Sequence, residues 1–289
     1  MIKNIKGGFT EIDYATLASL MPNVLAVGVY TAVVYYLEHD ILRFDFKPTS
    51  TVFSLLGIVL GLLLVFRTNT SYDRWWEGRR IWGSLVDASR NMALKLNAYL
   101  PEQDHETRDF FSKMIPNYFF ALKEHLRDGV KFEELEEPVN VSIISDLKTN
   151  KHIPNRINNL IFIRINKLAS DKIISQEQLL TLDKLADVFT SAVGGCERIK
   201  NTPMPKSYSK HLDRFVLLYT LILPFGFMHD LGWWAIPTIM MVYFALEGIK
   251  TIGEEIEDPF GNDANDLATD TISNNIKGNI KEILLKKSN

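Results

Sequence analysis

The chain has 289 residues, 46% of them hydrophobic and 23% charged, with a formal net charge of −3, enough to bury a large core as one or two domains. No basic stripe marks it as a nucleic-acid binder, and its single cysteine, Cys196, excludes an intrachain disulfide framework and reads as a small buried hydrophobe. The mean hydropathy is near zero because four apolar stretches sit beside a long charged middle, residues 67–211.

In chain order, residues 1–13 read as a short polar arm with Lys3 and Lys6, and Gly7-Gly8 break any helix there. Residues 14–37 are uncharged, interrupted by Pro22, and predict a first membrane helix. This run exceeds a signal h-region and shows no A-x-A site, so no cleavable leader is expected. A polar loop over 38–47 carries Arg43 and Lys47 against three acids, and Pro48 stands where a first helical turn tolerates it.

Residues 48–66 are nineteen positions without a formal charge, long enough as a helix to cross about 30 Å of hydrocarbon. Ser54, Gly57 and Gly61 share one side, with the small-xxx-small spacing that lets helices approach closely in a bilayer. About 100° round the axis, Ile58, Leu62 and Phe66 make a bulky row. That row either meets lipid or lines a hydrophobic pore that closes by refusing water. Beyond it, Trp75 and Trp76 suit an interfacial aromatic belt, and Arg67, Arg74, Arg79 and Arg80 a cytoplasmic flank. Glu77 lies three residues from both Arg74 and Arg80 and is placed to pair with either. Residues 67–95 hold six cations, so the positive-inside rule puts this side in the cytoplasm, the 38–47 loop outside and the amino terminus inside.

The helical period continues through Ile81, Leu85, Ala88, Met92 and Leu96 until Pro101 closes it. A second amphipathic stretch covers 107–127, with Pro116 as a kink or restart. Residues 131–150, with Glu133, Glu134, Glu136 and Glu137, read as an irregular solvated loop. Helices follow over 154–172 and 175–198, where Ser175 and Gln178 have the spacing of a capping box. A turn at 201–205 leads to two antiparallel membrane helices, 215–228 and 233–246, joined at 229–232. Glu247, the one acid near membrane depth, reads as interfacial beside Lys250.

The run FRTNTSYDRWWEGRRIWGSLVDASRN, residues 66–91, closely resembles the bestrophin family, including its bacterial members. Arg67, Asp73, Arg74, Trp75, Trp76 and Glu77 carry the match, and residues 196–205, Pro224-Phe225-Gly226 and EEIEDPFG at 254–261 extend it along nearly the whole chain. The resemblance implies a homopentamer around one central pore, an apolar neck at Ile58, Leu62 and Phe66, and a second cytosolic constriction, for which Leu180 is the candidate. In calcium-activated animal members the Pro-Phe-Gly signature leads into a dense acidic run that clasps Ca²⁺. Here only Asp263 and Asp266 remain, short of the oxygens a hard cation needs, so no metal site and no cofactor are expected.

Enzyme readings find no support, since the six histidines are scattered and no Walker loop, G-x-S-x-G elbow, HExxH or CxxC motif occurs. The expected protein is all-α, with four transmembrane helices, a helical cytosolic domain and both termini in the cytoplasm of a bacterial inner membrane. Its divisions are residues 1–66 (arm and first two spans), 67–211 (cytosolic domain), 212–250 (last two spans) and 251–289 (cytosolic tail). It is read as a channel for monovalent ions. The mild acidity and bacterial motifs point to cations, chloride is the alternative as in animal members, and a membrane scaffold or a carrier is the alternative of another class.

Overall fold

The computed structural model describes residues 8–38, 50–139 and 142–285, with side chains described from residue 18 onward. The start of the polar arm with Lys3 and Lys6, the Arg43–Lys47 loop and Pro48 lie outside the described residues. Among the described residues all regular structure is helical: α1 (Gly8–Tyr36), α2 (Ser50–Tyr99), α3 (His105–His125), α4 (Ile144–Lys148), α5 (Ile153–Ser170), α6 (Gln176–Asn201), α7 (Lys206–Leu231), α8 (Ala235–Glu255) and α9 (Thr269–Leu285). The all-helical reading therefore holds. The polar arm through Asp13 does not, because α1 begins at Gly8.

The chain divides into two compact units. One holds the described residues through Arg74 with Pro203–Asp258 and Asp263–Asn265, the other Trp75–Thr202 and Pro259–Asn262 with the described residues from Asp266 onward. The first unit takes α2 as far as Arg74, since α2 runs unbroken from Ser50 to Tyr99 and the end of the apolar run does not end its packing. The tail, read as a separate segment, supplies α9 to the second unit.

In the first unit, a Cβ on Gly28 would fall 2.6 Å from the Met240 sulfur, and Gly248 stands by Leu20. Partners in reverse order make α1 and α8 antiparallel. α2 and α7 are antiparallel as well, because the Tyr208 hydroxyl donates to the Leu63 carbonyl at 2.8 Å and the Tyr219 hydroxyl to that of Phe53 at 3.4 Å. α7 and α8 fold back at Gly232, whose φ of 55° suits a residue without a Cβ, and Lys250 meets Asp213 at 3.1 Å across the hairpin. Glu247 joins the same ammonium at 2.8 Å. By length and composition three helical stretches could cross a membrane, Ala18–Tyr36, Thr51–Tyr99 and Lys206–Glu255, the last holding both α7 and α8.

The second unit is built on a core of Trp82, Leu85, Met92 and Leu96 from α2, Phe111, Tyr118 and Phe119 from α3, Ile157 and Ile161 from α5, Phe189 and Cys196 from α6, and Ile276 and Ile280 from α9. Burial pushes the Cys196 thiol up to about 12. α2 stops before Pro101, where the buried Arg108 guanidinium donates to the carbonyls of Asn97 at 3.2 Å and Leu100 at 2.9 Å, filling acceptors that a helix end leaves open. Ser175 and Gln178 form the expected capping box at the start of α6. Pro116 lies inside α3 without interrupting it.

The acidic loop is more ordered than expected. Asn117 pairs with both backbone groups of Glu136, at 2.7 and 2.9 Å, and the Asp109 carboxylate accepts the Val139 amide at 2.7 Å. Glu136 bridges Lys277 and Lys281 of α9, each at 2.7 Å. Burial alone would raise its carboxyl, but the two lysines hold it lowered. Beside it, buried Lys123 touches Glu124 at 3.2 Å, Glu134 at 2.7 Å and Asp270 at 2.5 Å. α9 is therefore attached to α3 through charge as well as apolar packing.

Burial would raise the Glu124 and Asp270 carboxyls, yet the cations bonded to them hold both below their ordinary values of 4.5 and 3.8. Native values lowered in this way add stability that is fully present above the unfolded-state values and is lost as pH falls through the native ones. Lys123→Met, which leaves Glu124 buried with fewer partners, is expected to cost about 3 kcal/mol and to flatten the fall in melting temperature between neutral and acid pH. Thermal melts of parent and variant across that range check both effects.

Candidate functional site

The two faces of α2 differ sharply. Phe53, Leu60, Leu64, Arg67 and Ser71 are buried, at spacings that keep them on one side of a 3.6-residue helix. Leu60 and Leu64 join a cluster with Leu212, Val216, Tyr219 and Leu223 of α7. On the other side Ile58 is 68% exposed, Leu62 55% and Phe66 58%. They belong to a wider outward apolar sector that includes Leu55, Val59 and Val65.

The expected small-residue face does not act as one surface within the subunit. A Cβ on Gly57 would sit 2.7 Å from the Tyr219 hydroxyl oxygen, so close approach of α2 and α7 needs a glycine here. Gly61 has nothing within 4 Å, and Ser54 is exposed. The reason is angular: Gly61 has rotated away from the α7 contact toward the bulky row.

The row ends against a charged anchor. Arg67, 3% exposed, lies 3.2 Å from Glu254 and 3.5 Å from Glu257. Arg74 donates through Nε to the Glu257 carbonyl at 3.0 Å, and the Glu257 carboxylate accepts the Met204 amide at 2.9 Å. Two signature segments nearly 190 residues apart in sequence thus meet in one place, which no local spacing announces. Arg74 is therefore not the partner of Glu77, whose carboxylate takes Arg198 of α6. The local i,i+3 pairing expected along the helix gives way to these more distant contacts. Trp75 packs on the edge of the second unit's core with its ring 6.4 Å from that of Trp76, while Trp76 and Asp73 are exposed.

Leu180, the candidate second constriction, lies in α6 of the second unit and is 59% exposed. After the Pro-Phe-Gly signature, Arg127 donates through Nε to the carbonyls of Phe260 and Gly261, each at 3.1 Å, and reaches Asp270 at 2.9 Å. Asp263 is exposed and Asp266 partly buried.

One cluster runs against the sequence reading. His125 and His152, read as scattered, both meet Glu197, at 2.7 and 3.0 Å.

A family model for the bacterial and fungal bestrophin proteins matches residues 7–282. The chain belongs to this bestrophin family. Among relatives, a voltage-dependent anion channel-forming protein of Nostoc sp. is 41% identical over 78% of this chain and 75% of its own length. Another protein of that name, from Synechocystis sp., is 35% identical over 79% and 75%. A solved bacterial bestrophin homolog from Klebsiella pneumoniae, in a mutant form, superposes with a TM-score of 0.86 at 26% identity, covering 92% of this chain and 99% of that one.

For this bestrophin, the geometry separates the two glycines. Gly57→Ala drives a methyl against Tyr219 and is expected to lower stability by about 1–3 kcal/mol. Gly61→Ala meets open space in the subunit and is expected to be neutral or to stabilise by up to about 1 kcal/mol through helix propensity. Thermal melts of the two variants side by side provide the check.

Proposed function

We propose that this chain is the subunit of a bestrophin-type ion channel, a homopentamer in which five α2 helices turn Ile58, Leu62 and Phe66 toward a shared axis as an apolar neck. The observation that carries the reading is the division of α2: one face is locked to α7 and to the acids after α8, while the bulky row faces outward. A single subunit encloses no pore, so a row serving one must be completed by copies. Membership in the bestrophin family supports this choice over lipid contact alone, and over a scaffold, carrier or enzyme. The remaining outward positions, Leu55, Val59 and Val65, with Ser54 and Gly61, then meet neighbouring subunits or lipid.

Four helices cross the membrane in this reading: α1, the first half of α2, α7 and α8. The six cations of residues 67–95 favour the cytoplasmic side of the inner membrane for the second unit and both termini. Leu180 supplies a second ring at the cytosolic end. The neck closes by dewetting and opens by widening, without chemistry. Arg127 on the Phe260 and Gly261 carbonyls, with only Asp263 and Asp266 in the run that follows, supports a channel that does not need Ca²⁺.

For the permeant ion, the names of the Nostoc and Synechocystis relatives favour small anions. A ring of phenylalanines is compatible with them, since the edge of an aromatic ring carries positive charge. The net charge of −3 favours cations, a second reading that rests on where those acids lie in the assembled vestibule.

Planar-bilayer recordings of the reconstituted protein in asymmetric KCl test the proposal. Unitary currents are expected, with a reversal potential shifted toward the chloride equilibrium; a shift toward potassium would select the cation reading. Ile58→Ala, Leu62→Ala and Phe66→Ala should each raise conductance or open probability at matched pentamer content. Three variants indistinguishable from the parent would return the row to lipid.

A further inference from the structure

His125, His152 and Glu197 lie far apart in sequence and on three elements: the last turn of α3, the N-cap of α5 and the final part of α6. Glu197 Oε1 stands 2.7 Å from His125 Nε2 and 3.0 Å from His152 Nε2, and the two imidazole rings lie 4.6 Å apart, centroid to centroid. One donor atom from each residue falls within 4.8 Å of the other two. All three side chains are partly buried, so the group is reachable from solvent yet held by packing. The channel reading gives this cluster no task.

We propose that His125, His152 and Glu197 form a binding site for one divalent transition-metal ion of the zinc class, with water completing the coordination. Two imidazoles and one carboxylate are a donor set that suits Zn²⁺ and its neighbours and does not suit Ca²⁺, which takes oxygen. Bonds of about 2.0–2.2 Å to a tetrahedral ion place its donors about 3.3 Å apart. The contacts at 2.7 and 3.0 Å therefore open slightly to admit the ion. Each neutral imidazole offers Nε2 by carrying its ring proton on Nδ1. For His152 this releases the Asn155 amide, held at 3.3 Å, a contact already longer than a strong hydrogen bond. Glu197 offsets part of the ion's charge, and the carbonyl end of α3 favours a cation there, while the amino end of α5 opposes it. Once bound, the ion ties α3, α5 and α6 together.

The test uses the full-length protein in detergent, without a polyhistidine tag, stripped with a chelator and titrated with ZnCl₂ by calorimetry. Saturable binding of one Zn²⁺ per subunit is expected, with a raised melting temperature, and Ca²⁺ should not compete. His125→Gln and His152→Gln should each weaken binding by more than the ~10–100-fold that loss of a supporting residue costs, whereas His105→Gln should leave it unchanged. Should a variant fail to fold, Co²⁺ added to the parent gives a second reading: visible bands of a four-coordinate ion, abolished by Zn²⁺. No saturable Zn²⁺ binding, binding that survives the His125/His152 double variant, or no such Co²⁺ bands would overturn the site. Either result leaves the channel reading untouched, since the two rest on different residues.

Discussion

The first unit depends on the burial of Arg67. A guanidinium taken out of water without a partner costs several kcal/mol, and Arg67 comes directly after Phe66 in the apolar run, 3% exposed. The fold answers by bringing Glu254 and Glu257 from the end of α8, and Glu257 also holds the Met204 amide ahead of α7. The direction of the bulky row follows. At about 100° per residue, Phe66, Leu62 and Ile58 lie about 100°, 140° and 180° from Arg67, so turning the arginine inward turns the row outward. The anchor and the row are two consequences of one helix rotation.

How much could be read from the sequence follows from which interactions are local. The 3.6-residue period gave α2, α3, α5 and α6, the Ser175–Gln178 pair gave a helix start, and Gly232 gave the turn between α7 and α8. The outward row of Ile58, Leu62 and Phe66 was legible because its spacing alone sets it on one face. Pairings across long separations were not. Arg67 with Glu257, Glu77 with Arg198 and Glu136 with Lys277 each join residues more than 100 positions apart, and a charge has no periodicity that names its partner. Glu136 read as solvated because the lysines that meet it, Lys277 and Lys281, arrive with α9, and Glu134 because its partner Lys123 lies back in α3. Gly61 differs from Gly57 for an angular reason: rotation along the helix carries it off the α7 contact within the subunit.

An apolar neck has a further consequence for the distribution of charge. In the proposed channel, Ile58, Leu62 and Phe66 would offer no fixed charge to a passing ion and would chiefly set whether water enters. Beyond the weak edge charge of the phenylalanine rings, discrimination by sign would then fall to charged groups on the approaches to the neck. Many acids in this chain are not free for that role, because Glu124, Glu136, Glu197, Glu247, Glu257 and Asp270 already face cations or imidazoles. Each ion pair takes a cation out of play along with an acid, so the net charge of −3 is unchanged by the pairing and does not by itself fix the sign of the field that a passing ion would meet.

The same accounting applies to the segment after the Pro-Phe-Gly signature. A bound ion holding such a loop makes its order conditional on ion concentration, because the ligand shifts the equilibrium only through its own affinity for the ordered state. Arg127 meets the Phe260 and Gly261 carbonyls with a cation that is covalently part of α3, and Thr269 and Asp270 complete its contacts at the start of α9. A cation that cannot dissociate carries no information about the solution around it. The positive charge that joins the loop to α9 is therefore supplied by the chain itself and not by a soluble ion.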